Sequence, residues 1–345
     1  MSSPFATAAV ATGAAPLLQA IGVKKHFHVG KSVIPGQHKI VHAVDGVSLQ
    51  VWPGETLGLV GESGCGKSTL GRCLMRLYEL TDGQIILNGT DISRLGQRRL
   101  RPLRRQMQMV FQDPYASLNP RRRVGDLIAE PLRVHGRLGR AAIDRRLKDL
   151  VRLVGLHADH LQRFPHEFSG GQRQRIGLAR ALALEPRLIV ADEPVSALDV
   201  SIQAQIVNLL ADLQERLALT YIFIAHDLSV VRQVSSRIAV MYLGAIAETG
   251  ATDLVFGRPA HPYTEALISA VPVPELDRPG RRERIVLTGD VPSATNPPPG
   301  CRFHPRCRYA TDRCRSERPV LRALPDGRQV ACHYPLAGDA MPAVA

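Results

Sequence analysis

Short apolar runs alternate with segments of helical spacing along most of the chain. Runs that are continuously apolar, or that alternate with period two, predict strands at residues 17–23, 41–51, 55–60, 84–87, 187–191 and 221–225. Apolar residues at helical spacing predict helices over 67–78, within 124–163 and over 201–217. The longest apolar run, 238–247, contains Gly244 and is typical of two short strands joined by a turn. Alternating strands and helices predict an α/β fold around a sheet.

Composition places the chain among globular proteins of a reducing compartment. Its 345 residues are 45% apolar, which is enough for a substantial core and excludes wholesale disorder or a collagen-like chain. We find neither an apolar run long enough to span a membrane nor a secretory signal, so we expect a cytosolic protein. The six cysteines should then be reduced or metal-bound, and the Ala/Ser/Thr-rich residues 1–16 should be disordered.

A glycine-rich loop between a predicted strand and a predicted helix carries the first chemical signal. It fits the pattern G-x-x-x-x-G-K-[ST] with Gly61, Glu62, Ser63, Gly64, Cys65, Gly66, Lys67, Ser68 and Thr69. Glycines let backbone N–H groups approach phosphate oxygens, and the positive end of the following helix completes an anion cradle. Lys67 supplies a charge for the β- and γ-phosphates, and Ser68 offers a hydroxyl to Mg²⁺. The loop therefore predicts a nucleotide-binding site.

A second apolar strand, at 188–191, ends in the two acids Asp192 and Glu193. A continuous apolar run is typical of a strand buried on both faces, and ligands bind at the carboxyl end of such strands. In a phosphate-loop protein this location places Asp192 near Mg²⁺ and Glu193 near the attacking water.

Upstream of these acids, Phe168-Ser169-Gly170-Gly171-Gln172 resembles the signature motif of the ATP-binding cassette (ABC) ATPases. The N-terminus of the helix predicted from about Gln172 could make a second phosphate contact. Ser169 can cap this helix, and the free N–H groups there would face an anion. The resemblance implies that the signature of one subunit closes on the nucleotide held by the phosphate loop of another.

Four more residues match the motifs of this family in chain order. Phe27 resembles the aromatic residue that stacks on adenine, and Gln112 resembles the Q-loop residue that touches Mg²⁺. Asp199 lies in a segment similar to the D-loop, and His226 resembles the histidine at the γ-phosphate.

Membership of this family would imply a phosphate-loop (RecA-like) core with an antiparallel β subdomain and a helical subdomain, the latter at about 113–165. The nucleotide-binding domain would span 17–260, bind ATP and Mg²⁺ and pair with a second ABC ATPase subunit. The implied magnesium residues are Ser68, Gln112 and Asp192. The implied catalytic residues are Lys67, Gln112, Glu193, as general base or water-positioning group, and His226.

Two further segments resemble a narrower group, the ATPase subunits of oligopeptide/dipeptide importers. One runs from Gln112 to Pro120, and the other begins at His261 with the sequence HPYTEAL. The segment 43–48 favours the second ATPase of an unlike pair. The resemblance implies peptide import through two transmembrane permease subunits, served by an extracytoplasmic substrate-binding protein, at the cytoplasmic face of the bacterial inner membrane. Nickel and glutathione importers belong to the same group and remain alternatives.

Four cysteines, Cys301, Cys307, Cys314 and Cys332, lie close together in sequence within a predicted C-terminal domain of 261–345. Four thiolates fit a tetrahedral Zn²⁺ or a [4Fe–4S] cluster, and reduced free thiols are the third interpretation. The spacing lacks the C-x₂-C pairs of zinc ribbons and suits the wider ligand separation of a cluster. The importer resemblance also favours the cluster.

Charge leaves two interpretations open. The formal net charge of +13 reflects either a biased composition or an anionic partner. Residues 94–123 hold nine arginines and one acid, without the interleaved aromatic residues expected of nucleic-acid binding. We expect this face to lie near the membrane and expect no nucleic-acid partner. A soluble ABC protein acting on nucleic acid or ribosomes, or an iron–sulfur redox protein, would be the alternatives of another class.

Overall fold

The structure is a computed structural model that describes residues 15–29, 39–113, 117–136, 138–271 and 284–336. The predicted disordered segment 1–16 therefore lies almost wholly outside the described residues. So does part of the Gln112–Pro120 segment.

A large mixed sheet forms the centre of the molecule, in the strand order β11-β12-β10-β9-β3-β8-β7-β6. Strands β9, β3, β8, β7 and β6 run parallel, and the remaining three join antiparallel at one edge. The strand bounds are β3 Thr56–Val60, β6 Met107–Val110, β7 Leu188–Asp192, β8 Thr220–Ile224, β9 Arg237–Tyr242, β10 Ala245–Ala251, β11 Arg322–Ala323 and β12 Gln329–Val330. The 238–247 run thus divides into two strands with a turn at Gly244, as its pattern predicted.

A smaller antiparallel sheet, in the order β2-β1-β4-β5, covers part of this core. Its strands are β1 Leu18–Val29, β2 Lys39–Val51, β4 Asp82–Leu87 and β5 Thr90–Asp91. Apolar residues of β1 and β2 are buried in one core cluster with those of β3 and of the helix that begins at Lys67. The predicted antiparallel β subdomain is therefore present.

The helices complete an α/β architecture. Their bounds are α1 Lys67–Leu74, α2 Gln97–Leu103, α3 Val124–His135, α4 Arg140–Leu153, α5 Gly170–Leu182, α6 Val200–Leu217, α7 Leu228–Val234, α8 Thr252–Gly257, α9 Pro262–Ser269 and α10 Asp312–Ser316. Helix α1 is shorter than predicted, because Arg76 takes a left-handed conformation (φ +51°) soon after its C-terminal cap. Within the part of the chain that the structure describes, no helix is long and apolar enough to cross a membrane.

Helices α3 and α4 form the predicted helical subdomain. They bury an apolar face of spaced residues against α5 and the main sheet; these residues include Leu127, Ile128, Leu132, Ile143, Leu147, Leu150 and Val151. The same core cluster takes in residues from later in the chain, such as Tyr263 and Phe303.

The C-terminal residues join the main sheet instead of standing apart from it. Strand β12 pairs with β10, where Glu248 lies opposite Val330. Arg328 and Glu248 form an ion pair in which both side chains are almost fully buried. The predicted boundary between 17–260 and 261–345 stays a prediction, although one sheet draws strands from both sides of it.

Candidate functional site

One groove of about 700 Å³ gathers most of the residues that the motifs singled out. Its walls come from β1 and β2, the glycine loop, α1, and the ends of the parallel strands. The lining residues are Phe27, Val41, Ala43, Ser63, Gly64, Gly66, Lys67, Ser68, Thr69, Gln112, Glu193, His226 and Ala294. Residues that are far apart in sequence therefore meet where a parallel sheet is expected to bind its ligand.

The glycine loop runs from the end of β3 to the start of α1. Gly66 is the N-terminal cap of α1 at φ +104°, a conformation that favours glycine. A Cβ at this position would lie 2.1 Å from the carbonyl oxygen of Ala43, so no larger residue fits. Lys67 Nζ donates to the carbonyl oxygens of Gly61 at 2.7 Å and Glu62 at 3.0 Å. The lysine is thus held over the loop that is predicted to hold phosphates.

Two of the predicted magnesium residues touch each other. Ser68 Oγ donates to Asp192 Oδ1 at 2.7 Å, which links the start of α1 to the end of β7. Asp192 is buried, and this burial raises the pKa of its carboxyl group, while the Ser68 hydrogen bond and the charges of Arg72 and Lys67 oppose the rise. A hydroxyl and a carboxylate oxygen are ligands that Mg²⁺ prefers, so the pair suits this ion.

The carboxylate of Glu193 contacts two other predicted catalytic residues, Gln112 and His226. Its Oε2 accepts a hydrogen bond from Gln112 Nε2 at 2.8 Å and lies 3.6 Å from Nδ1 of His226. Glu193 has φ +46°, and its N–H donates to the carbonyl oxygen of Ile224 at 2.9 Å. A left-handed conformation at a non-glycine residue is unfavourable, and such residues cluster at functional sites. The neighbouring strands β7 and β8 therefore fix both Glu193 and His226 at one edge.

Phe27 lies at the far end of the groove, on β1. Its ring meets that of Tyr78 edge to face, with centroids 5.5 Å apart, and Lys25 Nζ stands 4.9 Å from its centroid. Ala294 also lines the groove, and its carbonyl oxygen accepts from the N–H of His42 at 2.9 Å. Nothing in the sequence pattern singles out Ala294, which lies in a proline-rich segment.

The signature residues lie outside this groove. Ser169 caps α5 as expected, and its hydroxyl accepts from the N–H of Gln172. Gly170 and Gly171 face the neighbourhood of Leu198 and Ile202. Asp199 is the exposed N-terminal cap of α6. Among the described residues, the groove wall takes none from 169–172 or from position 199.

The four C-terminal cysteines come together around one small cavity. None of these four described residues forms a disulfide, and burial raises the pKa of Cys307 to about 11 and that of Cys332 to about 12. A tetrahedral zinc ion, with Zn–S bonds of about 2.3 Å, would hold its sulfurs about 3.8 Å apart. Within the described ranges, no three of these sulfurs lie within 4.8 Å of one another, so their placement is wider than zinc requires. A cluster of several metal ions tolerates such a separation.

Sequence reasoning missed two residues that bear on the glycine loop. Arg306 forms an ion pair with Glu62, and the Tyr263 hydroxyl accepts from the N–H of Glu62 at 2.8 Å. The available signals were the HPYTEAL segment and the arginines between the cysteines, but neither signal indicates which residue it contacts.

The fold and this groove define the ATPase of an ATP-binding cassette. The family described as "ABC transporter" matches residues 44–196, and "Oligopeptide/dipeptide transporter, C-terminal region" matches residues 247–314. The probable peptide ABC transporter ATP-binding protein y4tS of Sinorhizobium fredii is 54% identical, over 92% of this chain and 89% of that one. The oligopeptide transport ATP-binding protein AppF of Bacillus subtilis is 52% identical, over 92% of this chain and 97% of that one.

Solved structures agree with the sequence relatives. A dimeric ATP-binding cassette in a post-hydrolysis state with ADP and Pi has a TM-score of 0.60 and 27% identity. The match covers 68% of this chain and 98% of the cassette. The chain belongs to the ABC transporter family of ATP-binding subunits, in the oligopeptide/dipeptide group.

Proposed function

We propose that the chain powers the import of di- or oligopeptides, as a peripheral ATPase at the cytoplasmic face of a bacterial inner membrane. The single observation that carries the site is the convergence of Lys67, Ser68, Gln112, Glu193 and His226 on one groove. The peptide cargo is inferred from the relatives, whose names describe peptide transport.

In the proposed site, ATP lies with its phosphates on the glycine loop and its base beside Phe27. Ser68, Asp192 and Gln112 would hold Mg²⁺, which would offset phosphate charge when bound. Lys67 stabilises the charge that develops in the transition state. Glu193 accepts a proton from the attacking water or orients it, and His226 contacts the γ-phosphate.

A complete site needs a second ATPase subunit. The signature residues, Ser169 to Gln172, lie outside the groove of their own chain, which suits their use on the nucleotide of a partner. Beside Asp199, the apolar side chain of Val200 is 81% exposed. This exposure leaves the Val200 side chain accessible to a partner subunit at the proposed D-loop. We infer an unlike ATPase partner and two transmembrane permeases, fed by an extracytoplasmic substrate-binding protein.

Uptake by the whole importer tests this proposal. The complex of this chain with its membrane partners is reconstituted in proteoliposomes with ATP, and radiolabelled dipeptide, nickel and glutathione are offered in turn with the binding protein. We expect ATP-dependent dipeptide uptake that Lys67→Ala abolishes. Uptake of nickel or glutathione without peptide would overturn the cargo. Undiminished uptake by the variant would overturn the role of the site.

The four cysteines would hold a [4Fe–4S] cluster, with Zn²⁺ as the alternative. Cys301, Cys307, Cys314 and Cys332 surround one cavity with sulfurs spaced more widely than a single ion needs. Such a cluster would supply four strong cross-links to the C-terminal region. Protein purified without oxygen should contain iron and acid-labile sulfide in equal amounts, and Cys314→Ser should lose both. Zinc without sulfide would favour the alternative.

A further inference from the structure

A carboxylate stands inside the loop that binds phosphates. Glu62 directly follows Gly61, and its backbone carbonyl accepts a hydrogen bond from Lys67 Nζ at 3.0 Å. A negative charge at this position repels an anionic ligand and competes for the positive potential of the loop. The charge of Glu62 therefore has to be offset if the loop is to hold ATP tightly.

Arg306 supplies this offset from the C-terminal region. Its Nη1 donates to Glu62 Oε2 at 2.8 Å and its Nη2 donates to Oε1 at 3.1 Å, so the pair is bidentate. The Arg306 side chain is 7% exposed and that of Glu62 is 25% exposed. In a pair so shielded from water, losing one partner leaves the other charge uncompensated, which costs more than breaking a surface ion pair.

Tyr263 fixes the backbone of the same residue. Its hydroxyl accepts from the N–H of Glu62 at 2.8 Å, and its ring packs against those of Tyr242 and Phe303. Burial raises the pKa of Tyr263, so its hydroxyl stays neutral at physiological pH. Glu62 is thus held at its side chain by Arg306 and at its backbone by Tyr263.

The loop between Cys301 and Cys307 is anchored to the nucleotide-binding core by consecutive contacts. Arg302 donates to the carboxylate of Asp45 on β2, and Phe303 packs on Tyr242 of β9. Arg306 then reaches Glu62. This anchoring limits the positions that the Arg306 side chain can take, because Arg302 and Phe303 tie the same loop to β2 and β9.

We propose that Arg306 is a positioning residue of the ATP site, which neutralises Glu62 and, together with Tyr263, keeps the phosphate loop in its binding conformation. The inference rests on the proposed placement of ATP at this loop. It assigns to the C-terminal region a direct part in nucleotide affinity.

Nucleotide affinity of the full-length chain tests the proposal, with a fluorescent ATP analogue and Mg²⁺ as the probe. Arg306→Ala should raise the dissociation constant about tenfold, since a charge-assisted pair is lost beside an anionic ligand. Glu62→Gln should bind the analogue more tightly than the wild type, because it removes the repulsive charge and leaves that of Arg306. The double variant should return to within about threefold of the wild type. Arg308→Ala, which removes an arginine of an exposed pair with Glu265, is the matched control and should bind normally.

The signs of these effects separate neutralisation from a structural role. If Arg306 only supported the fold, Glu62→Gln would weaken binding as Arg306→Ala does, and the double variant would not recover. That result would overturn the proposal, and so would unchanged binding by Arg306→Ala. Because Glu62→Gln keeps every other contact of the loop, it remains informative even if Arg306→Ala folds poorly. In assays of turnover, the Arg306 variant should raise KM for ATP more than it lowers kcat.

Lys67→Ala shows whether a negative result rejects the role of Arg306 or the proposed ATP site itself. Loss of binding in Lys67→Ala together with normal binding in Arg306→Ala would leave the site intact and reject the role of Arg306. Normal binding in both variants would reject the placement of ATP itself.

Discussion

The side-chain amide of Gln112 donates to the carboxylate of Glu193 at 2.8 Å, so the residue proposed to bind Mg²⁺ and the proposed base are already joined. Gln112 follows β6 and Glu193 follows β7, and these strands lie side by side in the sheet. In the proposed site, Mg²⁺ would contact Gln112 and the attacking water would contact Glu193, so the bound nucleotide would compete with this hydrogen bond. Nucleotide binding is therefore expected to change the link between the sheet edge and the helical subdomain, which begins just after Gln112.

Glu193→Gln should bind ATP and fail to hydrolyse it. The amide keeps the shape of the side chain but cannot accept a proton, and a general base contributes about 10²–10⁴ in rate. We expect turnover to fall at least about 100-fold while the dissociation constant of the ATP analogue changes little. Phosphate release and analogue binding measure the two quantities. Turnover within tenfold of the wild type would contradict the assignment.

Asp192→Asn should increase the magnesium concentration that hydrolysis needs. The variant removes a buried negative charge from the pair with Ser68 and leaves a weaker neutral oxygen ligand. We expect the half-saturating Mg²⁺ concentration to rise about tenfold, at saturating ATP. Asp149→Asn alters an exposed carboxylate on α4 and serves as the control. Equal magnesium curves for the two variants would rule out Asp192 as a metal residue.

Removing Arg328 should destabilise the fold more than removing its whole ion pair. Arg328 Nη1 lies 3.2 Å from Glu248 Oε1, and both side chains are at most 1% exposed. Arg328→Met leaves the Glu248 carboxylate buried without this partner, which costs about 3–5 kcal/mol of unfolding free energy. Adding Glu248→Gln should recover part of that loss. Urea unfolding of the wild type, Arg328→Met, Glu248→Gln and the double variant measures the differences, and additive losses would contradict the coupling.

His261 should make the protein less stable at mildly acidic pH. Burial lowers its pKa from 6.5 to about 4, since the neutral ring is favoured, and Nδ1 accepts from the N–H of Tyr263 at 3.0 Å. The unfolded chain therefore binds the extra proton as the pH falls below about 6.5, while the folded chain does so only near 4. Stability decreases over this interval, by about 3 kcal/mol at its lower end.

His261→Asn provides the measurement, because the amide oxygen can replace Nδ1 as an acceptor but does not titrate. Thermal unfolding between pH 7 and 4.5 should depend less on pH in this variant than in the wild type. The nearby Glu248 carboxylate titrates in both proteins, so the comparison isolates the imidazole. His166→Asn, at an exposed position, should keep the dependence of the wild type. A wild-type slope in His261→Asn would contradict the prediction.

The parts of the site that could be predicted from the sequence are those formed by consecutive residues of one motif. Local spacing predicts the glycine loop and the acids Asp192 and Glu193 as site residues, because each lies where a predicted strand ends. Phe27 and His226 needed the family pattern, since an isolated aromatic or histidine carries no such signal. The pairing of Arg306 with Glu62 spans 244 positions and leaves no periodic trace.

The C-terminal part of the fold was harder to foresee for a related reason. Strands β11 and β12 are two residues long, too short to show alternation. Just before β12, Arg328 is buried against Glu248 in a long-range contact between two charged residues that sequence patterns assign to the surface.

The pairing of β10 with β12 also has a consequence for the nascent chain during synthesis. Residues 252–328 separate β10 from β12, its neighbour at the sheet edge. At about 5–20 residues per second, a ribosome adds this stretch in roughly 4–15 s. During that interval the edge of β10 has no strand beside it, and Glu248 has no Arg328. An unpaired strand edge can pair with other chains. The nascent chain is therefore most prone to aggregate during this interval, when chaperone binding would protect it most.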